Sequence, residues 1–313
     1  MFAFIARRLL DGIVMVVVVC AAAFALLYND GDRIARVVLG AQATQEQVVE
    51  RAEQLGLHEP LLAQFLTWAA KALTGDLGRS FYTNEPVIDI LEVRIPVTLS
   101  LVIGTLLITI LLSFAIGVYS AYRRGWVDGL LQTLGVISFA VPSFLIAILL
   151  VMLFSLTLGI LPATGYTSPL QHPGMWAIGL VMPVVALASS TVAGAAQQIR
   201  GSVIDVLQRD YIRTLRSRGV PQRLIFFRHA LKNAIGPALT TLSLQFITTL
   251  GGAVVIERVF ALPGLGQMVV NSALRSDIPM VMGVVLFTVV LVVVVNLLVD
   301  LAIAWTNPKV VLR

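Results

Sequence analysis

The chain has 313 residues, of which 58% are hydrophobic and 12% charged, with a formal net charge of +5. A soluble domain is roughly 45–50% apolar and about 25% charged, so this composition excludes a water-soluble globular protein. The single cysteine, Cys20, excludes an intramolecular disulfide and argues against a zinc site.

Arg7 and Arg8 precede the first apolar run, Ile13–Tyr28. A signal peptide begins in the same way, but no small-residue cleavage site follows the run, because Ala21-Ala22-Ala23 lies inside it. An uncleaved span is expected. Residues 29–96 then form a long loop with six basic and ten acidic side chains. Within it Thr44–Leu57 reads as an amphipathic helix, with Thr44 as N-cap and Gly56 as C-terminal stop. That helix either meets an external partner or packs on the spans. Gly75 and Gly78 shape turns further on.

Between Arg94 and Arg123 lie 28 uncharged residues, and between Asp128 and Arg200 lie 71. A helix needs about 20 apolar residues to cross the hydrocarbon core, and in lipid only internally paired backbone is tolerated. Six spans follow: Ile13–Tyr28, Val97–Tyr122, Leu130–Leu158, Trp176–Ile199, Ala238–Ile256 and Val281–Trp305. The expected fold is an all-α integral membrane protein. It divides into a first segment and span (1–28), a long loop (29–96) and a five-helix core (97–313) carrying a basic segment at 200–236. Pro142 predicts a kink or oblique path in the long third span. Before the last span, Pro263, Gly264 and Gly266 predict turns or a short re-entrant hairpin.

Six spans put both termini on one side. On that side stand Arg7, Arg8, Arg123, Arg124, eight basic residues from Arg200 to Lys232, then Lys309 and Arg313, fourteen in all. The two short loops opposite hold only Arg258 and Arg275. This bias places both termini and the basic segment in the cytoplasm. Ionisable groups within spans raise a functional question by default. Asp11, Glu257, Arg258 and Asp300 all lie near span ends, where snorkelling or structural pairing accounts for them. His58, His172 and His229 share no metal-ligand spacing. None of Lys71, Lys232 and Lys309 follows a glycine, so no phosphate-cradling loop exists. No catalytic constellation is present either, and the energy for any pumping has to come from a partner.

The basic segment has two arms. Ile204–Arg218 has helical character, with Tyr211, Ile212 and Leu215 on one side and Arg209, Arg213 and Arg216 on the other. Gly219 suits a left-handed helix stop and Pro221 opens a second helix. There Leu224, Phe227, Leu231 and Ile235 recur at helical spacing. Read alone, this is either a basic loop lying on anionic headgroups or a rigid knob gripped by a soluble protein.

The segment resembles the cytoplasmic loop of bacterial ABC importer permeases of the dipeptide/oligopeptide group. Gly219 matches the loop's glycine, whereas Arg213, Thr214 and Leu215 stand where that family carries Glu-Ala-Ala. The Asp210-Tyr211 lead-in and "RHALKNAIGP" are similar to the peptide-permease version. So are "LGLHEPLLAQF", "GDLGRS", "RIPVTLSL", "LGILPATGY", "VFALPGLGQMVVNSALRSDIPMVMG" and the tail "NLLVDLAIAWTNPKVVLR". The resemblance implies a type I importer permease in the bacterial inner membrane. Asp210, Tyr211, Arg213, Thr214, Leu215, Arg216 and Gly219 would then couple to an ATPase. It also implies a second permease subunit, two ATPase subunits holding ATP and magnesium, and an extracytoplasmic substrate-binding protein. No cofactor is expected in this chain and no nucleic acid. Peptides are the implied substrate, with nickel, glutathione or oligosaccharide as alternatives in the same family. A stand-alone carrier or channel would instead need internal repeats, and none is visible; a membrane-embedded enzyme is disfavoured by the absent catalytic groups.

Overall fold

A computed structural model describes residues 2–28, 31–40, 42–123 and 125–306. Arg124, Lys309, Arg313 and the last residues of the tail motif lie outside the described residues. All regular elements among them are helical; one isolated antiparallel bridge joins Arg79 to Pro86. The order is α1 (Phe2–Leu27), α2 (Gly31–Leu39), α3 (Gln45–Gln54), α4 (Leu61–Leu73) and α5 (Val87–Arg123). Then come α6 (Trp126–Ala140), α7 (Ser143–Leu150, prolonged by a π-helical stretch Val151–Thr157) and α8 (Pro173–Leu207). The last are α9 (Asp210–Ser217), α10 (Gln222–Leu224, running through a π-helical stretch Ile225–Ala230), α11 (Leu231–Val259), α12 (Leu265–Leu274) and α13 (Ile278–Thr306).

Among the described residues five helices are long and apolar enough to cross a bilayer: Ile5–Leu27, Val87–Arg123, Pro173–Leu207, Ala238–Val259 and Ile278–Ala304. Asp128–Ala140 and Ser143–Thr157 would make a sixth, but they are bent by 91°. The expected third span, Leu130–Leu158, is therefore a broken element rather than a kinked rod. Val141 leaves the helix at φ −86°, ψ 119° and Pro142 caps the next one. Proline forces its predecessor out of the helical region and withholds an N–H, which ends α6 there.

The chain forms two compact units, residues 1–97 with 263–294 and residues 98–262 with 295–313. In the first, Thr44 caps α3 with a full capping box to Gln47, and Gly56 ends it at φ +67°. Cys20 and Phe24 of α1 pack with Ile34, Val48, Ala52 and Leu57 and with Ile278 and Met282 of α13. Cys20 faces this core. A second cluster gathers Leu77, Val87, Leu91, Leu265, Met268 and Val284. Gly283 lets α13 approach α5 closely, for a Cβ there would lie 2.5 Å from Val87.

In the second unit α5, α8 and α11 are packed through small residues and hydroxyls, the usual means of close helix approach in a membrane. Thr109 and Thr191 share a hydrogen bond of 2.9 Å, and Gly117 leaves no room for a side chain against the Ala196 carbonyl. Arg200 of α8 donates from Nε to Asp128 of α6 at 2.6 Å, and Ser120 of α5 donates to the same carboxylate. Of the two roles expected for Glu257, snorkelling and structural pairing, the structure shows the second. It is fully buried and accepts from the Thr98 hydroxyl at 2.6 Å.

The corner expected at "LPGLG" differs in detail. The left-handed residue is Ala261 (φ +48°), and Pro263 follows it. Gly264 has φ −93° with extended ψ and caps α12, while Gly266 is buried inside that helix, so neither forms a turn. Gly75 and Gly78 do take the left-handed backbone, at φ +87° and +85°.

Candidate functional site: the basic corner at residues 200–234

Helix α8 continues without a break to Leu207, so Ile204 belongs to it and the first arm of the basic segment is α9 alone. Arg209, in extended backbone, accepts the first bond of α9 from the Ile212 N–H at 3.0 Å. The end of α9 is a Schellman motif. The Gly219 N–H bonds the Arg216 carbonyl at 3.0 Å and the Val220 N–H bonds the Leu215 carbonyl at 3.1 Å. Gly219 sits at φ +76°, and a Cβ there would meet nothing within 4 Å. The need for glycine is a backbone need, not one of space. Pro221 then caps the second arm from outside, at φ −56°, ψ 136°.

The second arm is not a separate short helix. From Gln222 the chain stays helical, through the π-helical stretch, to Val259. The face it buries also differs from the one expected. Ile225, Phe226, Ala230 and Ala234 are inward, packed with Ile212 of α9, Val203, Val206 and Leu207 of α8 and Ala121 of α5. Leu224 and Phe227, from the expected inward row, are 43% and 56% exposed. The π-helical stretch adds a residue to the turn and rotates the face, which a 3.6-residue count does not anticipate.

Beneath the corner, Tyr122 of α5 makes an edge contact with Phe226 at 5.1 Å, and Phe226 makes another with Phe227 at 5.2 Å. Asn233 donates to the Tyr211 hydroxyl at 3.1 Å and to the His229 carbonyl at 2.7 Å, tying α9 to the second arm. Thr214 folds its hydroxyl onto the Asp210 carbonyl. Asp210 and Arg213 pair at 3.5 Å with both side chains almost fully in solvent, a contact of little energetic weight.

Of the residues singled out by sequence, Leu215 is half-buried and packs under the corner. Asp210, Tyr211, Arg213, Thr214, Arg216 and Gly219 lie on its outside. Tyr211, Leu224 and Phe227 are exposed here, as are Arg213, Arg216, Arg223 and Arg228. Sequence reasoning missed Ile225, Phe226, Asn233 and Tyr122, which hold the corner. The doublet Phe226-Phe227 was the available signal, since one of two adjacent large residues in a helix has to face outward.

Five helices long and apolar enough to cross a bilayer define a multi-pass helical membrane protein. The comparisons with known proteins make this specific. Residues 113–312 match the family described as "Binding-protein-dependent transport system inner membrane component", and residues 1–102 match its N-terminal companion. A Sinorhizobium fredii protein, provisionally named as a peptide ABC transporter permease, is 37% identical over 308 residues, covering 98% of each chain. A Brucella abortus protein provisionally named as a peptide transport system permease is 37% identical over 311 residues, 99% of each chain. A glutathione transport system permease of Pectobacterium atrosepticum is 34% identical over 305 residues, 97% of each chain. The chain belongs to the binding-protein-dependent transport system inner membrane component family. It is a permease subunit of an ABC importer, located in the inner membrane.

Proposed function

We propose that this chain forms half of the translocation path of an importer for short peptides, and that the corner at 210–228 is where an ATPase subunit docks. The observation that carries the docking is the outer face of the corner. Leu224 and Phe227 stand exposed in a segment with four exposed arginines, on a backbone held from beneath by a buried apolar cluster. Headgroups alone would attract the charge, but rigid aromatic and aliphatic side chains beside arginine suit a protein groove. With both termini and this corner in the cytoplasm, ATP and magnesium sit on two partner ATPases. Their closure draws the corner of this chain towards that of a second permease subunit. Because α8 and the second arm run directly into spans, movement of the corner is transmitted to the spans as rigid elements. A binding protein delivers substrate from the other side.

The peptide assignment comes from the relatives. Two of the three are named for peptides, and the third for glutathione, itself a tripeptide.

Copurification tests the docking. A tagged chain expressed with its partner subunits is expected to bring down ATPase, and Phe227→Glu to lose the ATPase while keeping the second permease subunit. Recovery of full ATPase with Phe227→Glu would overturn the assignment of this face.

A further inference from the structure

A cavity of about 260 Å³ lies within the first compact unit, between the turn at 79–86, the first turns of α5 and the α12–α13 corner. Two guanidinium groups line it, the half-buried Arg94 and the exposed Arg275, and neither has an acceptor among the described residues. Arg94 is half-buried beside Ile90, Met268 and Met280, and makes no hydrogen bond or ion pair with a described residue. Arg200, similarly half-buried, is matched by Asp128. An arginine withdrawn from water without a partner is costly unless something else supplies the acceptor. Arg275 lies over the Tyr82 ring, 5.7 Å from its centroid, and its own carbonyl accepts from the Tyr82 hydroxyl at 2.6 Å. Tyr82 thus fixes both the backbone and the head of Arg275. Burial first, and then the nearby Asp277 carboxylate, push the Tyr82 pKa up, so its hydroxyl remains a donor.

The acid nearest to hand is already spent. Asp277 is 4% exposed and accepts from Ser80 Oγ at 2.6 Å on one oxygen and from the Phe81 N–H at 3.1 Å on the other. Glu85 is exposed on the rim. The cavity therefore offers two forks of N–H donors in its wall and one carboxylate at its edge. A carboxylate is the group that matches an arginine fork in a bidentate manner, and Glu85 is placed for an ammonium.

We propose that this cavity binds the C-terminal carboxylate of a short peptide, with Arg94 and Arg275 as its ligands. The choice of ligand rests on the peptide-importer reading above. The test uses the assembled transporter in detergent without its binding protein, with trialanine and trialanine amide as probes and the thermal unfolding midpoint as readout. Trialanine is expected to raise the midpoint and the amide not to. Arg94→Gln should weaken the trialanine effect on the order of tenfold or more in half-maximal concentration. Arg94→Lys, which keeps the charge but not the fork, should fall between. Equal shifts with acid and amide, no shift up to the solubility limit, or an unchanged response in a folded Arg94→Gln complex would each overturn the proposal. Uptake of labelled trialanine by proteoliposomes supplied with the binding protein separates the two readings. Uptake without an acid-specific shift removes this pocket alone, whereas an acid-specific shift without peptide uptake removes the substrate assignment and leaves the carboxylate site.

Discussion

Two corners of this molecule share one backbone design and use it for opposite ends. At Leu215–Pro221 and at Ser272–Asp277 a helix stops in a Schellman motif, with a left-handed residue followed by the bond back to the third residue from the helix end. The first corner uses Gly219 at φ +76°, the second Ser276 at φ +58°. The first is held from beneath by an apolar cluster and leaves its outer side chains in solvent. The second is pinned by a buried carboxylate, Asp277, to a turn almost two hundred residues earlier in the chain. Apolar support fixes a corner's position while leaving its polar groups available to a partner. Polar pinning consumes the Asp277 carboxylate and fixes the corner in place, while Arg275 of the same corner stays exposed.

Substitutions can break this contrast in graded steps. Phe226→Ala removes the largest support of the first corner and is expected to cost about 3–5 kcal/mol, seen as a lowered unfolding midpoint of the purified complex together with loss of copurifying ATPase. An unchanged midpoint would mean that the corner does not rest on this cluster. Asp277→Ala strips acceptors from Ser80 and the Phe81 N–H, at a cost of about 2–4 kcal/mol. Limited proteolysis should then cut in residues 79–86 while the 215–221 corner stays resistant.

The smallest effects discriminate most finely, because they differ in sign. Gly219→Ala should destabilise by about 1 kcal/mol, from backbone strain alone, since there is open space for the added methyl. Ser276→Gly removes the same strain and adds chain entropy, so it should lie between neutral and about 0.5 kcal/mol more stable. Thermal unfolding of the two variants side by side checks this. If both destabilise alike, the left-handed residue is not what governs these corners.

Several features were legible in the sequence for identifiable reasons. Gly219 and Gly56 could be placed at helix ends, and Gly75 at a turn, because glycine is the residue that takes a left-handed backbone without strain. Ala261 and Ser276 do the same work and went unread, since nothing in an alanine or a serine signals positive φ; the surrounding contacts impose it. The five long apolar helices were legible as uninterrupted runs. The third expected span was not, because hydropathy counts length and says nothing of direction, so a 91° bend at Pro142 leaves the count unchanged. In the basic corner, the stop at Gly219 was readable. The continuity of the second arm into α11 was masked by Pro221, which serves as a cap and not as a helix boundary with a further break behind it.

What the sequence determined by itself is therefore local or compositional: which stretches leave water, where charge accumulates and where a glycine permits a stop. These follow from transfer free energy and φ, ψ sterics, which each residue carries with it. Only the tertiary structure decided which face of residues 222–234 is buried. It alone matched Arg200 to Asp128 and Asp277 to Ser80, and left Arg94 without an acceptor among the described residues. Such pairings join residues 72 and 197 positions apart. They exist only once helix packing has brought distant backbone together, and no local property of either partner encodes them.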